Sequence, residues 1–162
     1  MSCKILSNNF PAFTVDNKEL VFVKDFKYLG TVITDTLRDD CDIEREIRCL
    51  FVRYNILISR FRFCSWHVKL RLFRTYRYCT CFYNIGLWRA YNVRTLRKFN
   101  SCYNKCLKRF FGFSKYSCLT TALLQTGLAS SSTVLHNFTW RFKDMLLACD
   151  NAVVSAMSSL CF

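Results

Sequence analysis

From residue 47 to residue 143 the chain carries eighteen lysines and arginines and no aspartate or glutamate. Ninety-seven residues with that balance cannot neutralise themselves by internal ion pairs, so their charges must meet water, counterions or a polyanion. Nucleic acid is the first candidate and an anionic membrane surface the second. The acids stand ahead of this stretch: nine of the eleven lie in residues 1–46. The whole chain, 162 residues at a net +13, is 52% hydrophobic and holds only four glycines and one proline. That composition supports a core built from long elements and excludes a disordered tail or a collagen-like segment.

Eleven cysteines, an odd number, follow a start at Met1–Phe10 that lacks the basic and apolar segments of a signal peptide. This points to a reducing intracellular setting, cytoplasm or nucleus, rather than a secreted disulfide framework. The longest strongly apolar run, Tyr78–Trp88 between Arg77 and Arg89, is shorter than the roughly 20 residues of a bilayer span. No membrane span is expected.

Residues 12–33 read as strands. Phe13 and Val15 alternate up to Asp16-Asn17-Lys18, a turn signal, and Leu20–Val23 returns; Phe26–Ile33 supplies a third β-rich run. From Asp42 the period changes. Ile43, Ile47, Leu50, Tyr54, Leu57 and Phe61 recur every three or four positions on one face of a helix of about 20 residues. Asp39, Asp40, Asp42, Glu44 and Glu46 crowd its start, where the helix dipole favours anions, so they read as a capping cluster.

A second helix is expected to start at Ser65, to turn Val68, Leu72, Tyr76, Cys79 and Phe82 inward, and to stop at Gly86. The third, from Asn92 to Gly112, buries Val93, Leu96, Phe99, Tyr103, Cys106 or Leu107, and Phe110. A short helix over Cys118–Gln125 and a last one after Ser130–Ser132, with Leu135, Phe138, Phe142, Met145 and Cys149 inward, complete the pattern. The expected fold is α+β and mostly α: a short N-terminal β-hairpin segment followed by an antiparallel helical bundle with a basic surface.

The off-stripe faces of the second and third helices hold Arg71, Arg74 and Arg77, then Arg94, Arg97, Lys98, Lys105, Lys108 and Arg109. These nine are the candidate phosphate contacts to RNA or an RNA–DNA duplex, made largely without reading sequence. The aromatic residues Phe51, Tyr54, Phe61, Phe73, Tyr76, Phe99 and Phe110 sit near apolar stripes and read as core rather than as base-stacking platforms. Cys102 and Cys106 are spaced as one helical turn, and Cys79-x-Cys81 with His67 and His136 lacks a knuckle's short interval, so no metal site is expected. Cys64 near His67 lacks an acid to orient the imidazole. Gly30, inside a strand pattern, marks either a close backbone approach or a plain turn.

Five pieces in order carry a resemblance. They are Phe26-Lys27-Tyr28-Leu29-Gly30 after a hairpin, the run Asp39–Arg48 opening a helix, Ser65-x-x-x-Lys69, Tyr83-x-x-x-Leu87-Trp88, and the helix end Leu107-Lys108-Arg109-Phe110-Phe111-Gly112. Together they resemble the C-terminal part of non-LTR retrotransposon reverse transcriptases, over about residues 3–145. The resemblance implies a palm-end, primer-grip segment over 1–37, with Phe26, Tyr28, Leu29 and Gly30 as the grip. It also implies a thumb-like, backbone-clamping bundle over 38–113 and a helical tail over 114–162. The polymerases of that family hold two Mg²⁺ ions on palm carboxylates, which lie upstream of the matched pieces. The implied chain is catalytically incomplete, without a cofactor of its own, and has the missing palm as a partner.

Two other classes compete with nucleic-acid binding. A protein-interaction or structural module would show an exposed apolar patch on the hairpin, from Phe22, Val23, Phe26 and Val32. A membrane-surface helix would show an interfacial Trp/Lys pattern, which no single helix carries.

Overall fold

The computed structural model describes residues 13–76, 82 and 84–161, the last five by their backbone alone. The fold is α+β and mostly α: two N-terminal hairpins precede six helices. In the first hairpin Asp16 and Asn17 take left-handed conformations (φ 50° and 62°), which their short polar side chains tolerate, and join β1 (Thr14–Val15) to β2 (Lys18–Glu19). The strand expected at Leu20–Val23 does not form; β2 stops at Glu19.

The run Phe26–Ile33 is not one strand but a second hairpin. β3 (Asp25–Tyr28) pairs antiparallel with β4 (Thr31–Thr34), Tyr28 opposite Thr31. The reversal is Leu29-Gly30, at φ 47° and 87°, so Gly30 serves a turn. Glycine adopts this backbone freely, whereas leucine has its Cβ against the following carbonyl. Leu29 is 75% exposed and recovers little of that strain by packing.

α1 (Asp40–Phe61) buries Ile43, Leu50, Tyr54 and Leu57, with Ile47 and Phe61 half-buried, as its period requires. α2 (Trp66–Tyr76) turns the chain back. Its Trp66 meets Phe111, the last residue of the third helix, and Phe113 just past it, and its Phe73 packs against Tyr54, Tyr103, Phe110 and Phe111. α3 (Val93–Phe111) then runs beside α1 in the same direction: Lys98 reaches Glu44, Cys102 the carbonyl of Ile47, and Arg109 Asn55. Phe73 sits among aromatic rings from α1 and α3, and that packing sets the rotation of α2. Phe73 is therefore the buried residue of α2, while Val68 and Tyr76 are exposed and Leu72 is half-buried, against the stripe expected for it. Phe82 is buried as expected, and Cys79 lies outside the described residues.

Gly86 does not end a helix. It sits in a 3₁₀ turn, Ile85–Leu87, under α5 (Ser131–Leu147), where a Cβ would stand 2.9 Å from the carbonyl oxygen of Phe138. Close packing, not helix termination, asks for glycine here. α3 ends at left-handed Gly112 and buries Phe99, Tyr103, Cys106, Leu107 and Phe110; Val93, in its first turn, is exposed. α4 (Leu119–Thr126) lies close to where the sequence puts it, and the Ser130 hydroxyl accepts from the Thr133 amide at the start of α5. In α5 the inward stripe is Val134 and Leu135, with Phe138 and Phe142 half-buried; Met145 and Cys149 are exposed, since only α6 (Ala152–Cys161) follows there.

Replacing Leu29 by asparagine, which accepts the left-handed turn, is expected to stabilise the chain by about 1 kcal/mol. Urea unfolding of both chains measures it; no gain, or a loss, removes the strain assignment.

Candidate nucleic-acid interface

The acids at the start of α1 fasten the hairpin and the 88–92 segment to the bundle. Asp42 is fully buried. One carboxylate oxygen accepts from the Val32 amide of β4 (3.0 Å) and from Arg45 Nε (2.8 Å), the other from Trp88 Nε1 (2.9 Å). Asp39 accepts the amides of Arg89 and Ala90 at 2.7 and 2.8 Å, and Asp40 the amide of Asn92 at 2.9 Å together with Arg38 at 2.8 Å. Asp39 occupies the N-cap position without a side-chain capping bond, so the cluster is a set of tertiary ties rather than a simple cap. Burial is the largest single influence on Asp40 and pushes its carboxyl upward, but hydrogen bonds from Thr95, the Asn92 amide and Arg38, with the charge of Arg38, together outweigh it and hold the carboxyl below its ordinary range. With their oxygens on backbone amides and Arg38, Asp39 and Asp40 are engaged by the fold rather than presented as an open carboxylate pair.

Glu46, one turn on from Asp42, is buried between Arg45 (3.1 Å) and Arg53 (3.2 Å). Desolvation raises its carboxyl from 4.5 to about 7, offset in part by Arg53 and Arg45 and reinforced by Asp42. Arg45 and Arg53, both part-buried, are thereby committed to an internal ion pair.

The remaining cations of α1 and α3 stand at a cleft. Between the two helices a hollow of about 590 Å³ is lined by Ile47, Phe51, Ser101 and Cys102, with Arg48, Arg94, Arg97, Lys98 and Lys105 exposed around it. It shares Phe51 and Lys105 with a second hollow of about 360 Å³, which reaches Phe113 and is bordered by Lys108, Arg109 and Lys115. Eight cations face one carboxylate, that of Glu44, which Lys98 binds at 3.1 Å. Arg48, Arg94 and Arg97 have no hydrogen bond or ion pair to the described residues.

Of the nine expected phosphate contacts, the structure brings Arg94, Arg97, Lys98 and Lys105 to one cleft and Lys108 and Arg109 to its extension. Lys108 is partly spent: its ammonium donates to the carbonyls of Lys115 and Ser117 at 3.2 and 2.6 Å and ties off the loop after α3. Arg71 and Arg74 lie on α2, away from the cleft linings, and Arg74 donates to the Gly127 carbonyl at 3.4 Å. Arg77 is outside the described residues.

Sequence reasoning missed Arg48, Lys115 and the character of Phe51. Arg48 precedes Phe51 by three positions, one turn of α1, a spacing that could have shown a mixed basic-aromatic face. Phe51, expected in the core, is 39% exposed and lines both hollows; Tyr76 too is exposed. Among the grip-like residues, Phe26 and Tyr28 project from the same side of β3 with ring centroids 6.5 Å apart, and both are exposed beside Leu29 at the hairpin tip. Cys102 and Cys106 are buried in α3; the Cys102 thiol is lowered by its hydrogen bond with Cys106 and by Lys105, against burial. Among the described residues no three His, Cys, Asp or Glu side chains gather as a metal site. No described helix is long and apolar enough to cross a membrane.

No protein-family model matches the chain, and neither a curated protein nor a solved structure is significantly similar to it.

Truncating Asp42 to alanine is expected to cost about 3 kcal/mol, because the Val32 amide, the Trp88 N–H and Arg45 lose their shared acceptor. Chemical denaturation checks this, and a loss below about 1 kcal/mol removes Asp42 from its central place. Glu46 gives a signed pH dependence. With a folded carboxyl at about 7 against 4.5 unfolded, the native state holds the proton more tightly, so stability from this group falls as pH rises from 4.5 through 7. Glu46→Gln mimics the protonated form. Its stability advantage over the parent should therefore widen by about 3 kcal/mol between pH 4.5 and pH 8, read by urea unfolding at each pH.

Proposed function

We propose that this chain is the primer-grip and thumb-like part of a non-LTR reverse transcriptase and that it holds the backbone of an RNA–DNA or RNA duplex without itself carrying polymerase chemistry. The observation that carries this reading is the cleft between two parallel helices, where eight cations face one carboxylate. Asp39, Asp40, Asp42 and Glu46 are spent on the fold, and Glu44 meets Lys98 alone, which leaves the other cations of the cleft without a carboxylate beside them. Phosphates replace the condensed counterions of such a surface, and their release drives binding that weakens with salt. The order of the elements agrees with the reading: an exposed hairpin carrying Phe26, Tyr28, Leu29 and Gly30 leads directly into the basic helices. Its working compartment in this reading is intracellular.

The hairpin region carries the apolar exposure expected of a protein-interaction module, and in the proposed reading it serves as a docking surface. Val21, Phe22, Val23, Phe26, Leu29 and Leu37 are all more than half exposed, a larger apolar display than a small hairpin needs for itself. In the proposed assembly these exposed apolar residues, of the second hairpin and the segments beside it, meet the upstream palm. A protein-interaction module with an incidental basic surface is the alternative, and it predicts no duplex binding.

Binding of a labelled RNA–DNA hybrid, followed by fluorescence anisotropy from low to physiological salt, tests the proposal. Affinity should fall steeply with salt, and the double variant Arg94→Ala, Arg97→Ala should flatten the log–log slope by about 2. A flat salt response, or no binding at low salt, overturns the duplex reading in favour of the interaction module.

A further inference from the structure

The cleft that carries the proposed function has a feature that duplex clamping does not use. Phe51 stands within it, more than a third exposed, although its neighbours Leu50 and Tyr54 on α1 are buried. An aromatic ring left open among Arg48, Arg94 and Arg97 costs hydrophobic stabilisation that the fold does not recover. We infer that the α1–α3 cleft binds an unpaired nucleic-acid strand, with a base laid on Phe51 and the flanking phosphates on Arg48, Arg94, Arg97 and Lys105. The inference rests on the nucleic-acid reading above and extends it from a duplex backbone to an unpaired strand in the same cleft.

Three observations favour this occupant. Along a duplex the base faces are covered by their neighbours, so an unpaired strand is what can offer a base to a ring in the lining of a cleft. The cations are spread along α3 from Arg94 to Arg109, about 22 Å at 1.5 Å per residue, which suits a series of phosphates rather than the single headgroup of a lipid. The two hollows share Phe51 and Lys105, so the ring lies near the middle of the charged path and not at its end. Stacking on one ring with electrostatic tracking on either side binds a strand with little regard to sequence.

The test uses the whole chain, an oligouridylate of about 12 nucleotides and an RNA–DNA hybrid of the same length, with anisotropy as the readout. Phe51→Leu keeps apolar volume but removes the ring. It should weaken the single strand about tenfold and leave the hybrid within about twofold, while Phe51→Tyr restores the single strand. Unchanged single-strand affinity in Phe51→Leu overturns the inference. If the hybrid still binds with a steep salt response, the broader reading stands; if neither ligand binds, both fall. Photocrosslinking of a 4-thiouridine strand to the unaltered chain gives a second measure that needs no variant. Adducts on the α1 or α3 segments bordering the cleft support the inference, and adducts elsewhere overturn it. Displacement of the oligonucleotide by phosphatidylserine vesicles or polyglutamate at equal charge concentration likewise overturns it.

Discussion

One buried carboxylate joins the parts of this protein. Asp42 takes an amide from β4, the indole of Trp88 and the guanidinium of Arg45, so hairpin, loop and first helix meet at a single charged group. A buried ion is tolerated only where its lone pairs are filled, and three donors do that here. Asp39 and Asp40 extend the tie to the 88–92 segment that opens α3. The start of α3 is thus set against the start of α1, and the parallel course of the two helices follows from that pinned end.

This use of the acids explains the surface. Five acids stand within eight residues, 39–46, and four of them are engaged with amides, an indole or arginines of the fold. Only Glu44 is left at the cleft, already paired with Lys98. Downstream, the sequence supplies no anion until Asp144, so parallel packing of α1 and α3 necessarily sets cation beside cation. The aromatic core of Tyr54, Phe73, Phe99, Tyr103 and Phe110 holds the helices together against that repulsion, since buried rings contribute far more than screened surface charges cost.

Much of the fold was legible because it is written in local periods. The stripe of α1, the limits of α3 from Asn92 to Gly112, the Ser130 cap and the Asp16-Asn17 turn all express short-range rules. What was not legible depends on partners distant in sequence. The buried side of α2 is decided by Phe73 meeting rings from α1 and α3, which the α2 sequence alone does not reveal. Asp42 looked like one more dipole-facing acid, because nothing near it announces Val32 or Trp88. Of the candidate site, the cations of α3 were readable as an off-stripe face. Arg48 and the exposure of Phe51 were not, since a stripe on one helix does not say where its edge meets the next.

The two ends of the structure therefore obey different economies of burial. In the bundle, cationic surface is left open around a buried aromatic core; in the hairpins and the segments beside them, apolar residues are left open and no comparable run of like charge occurs. A chain selected only for its own stability gains nothing from either exposure, because the first adds repulsion and the second leaves hydrophobic area in water. Each exposure is relieved by a different kind of contact: a polyanion on the helices, an apolar surface on the hairpins. Asp42 links the two surfaces, bonding to β4 on one side and to the loop leading into α3 on the other. A partner docked on the hairpin and a strand held in the cleft would then share one rigid junction, and the position of each would fix the position of the other.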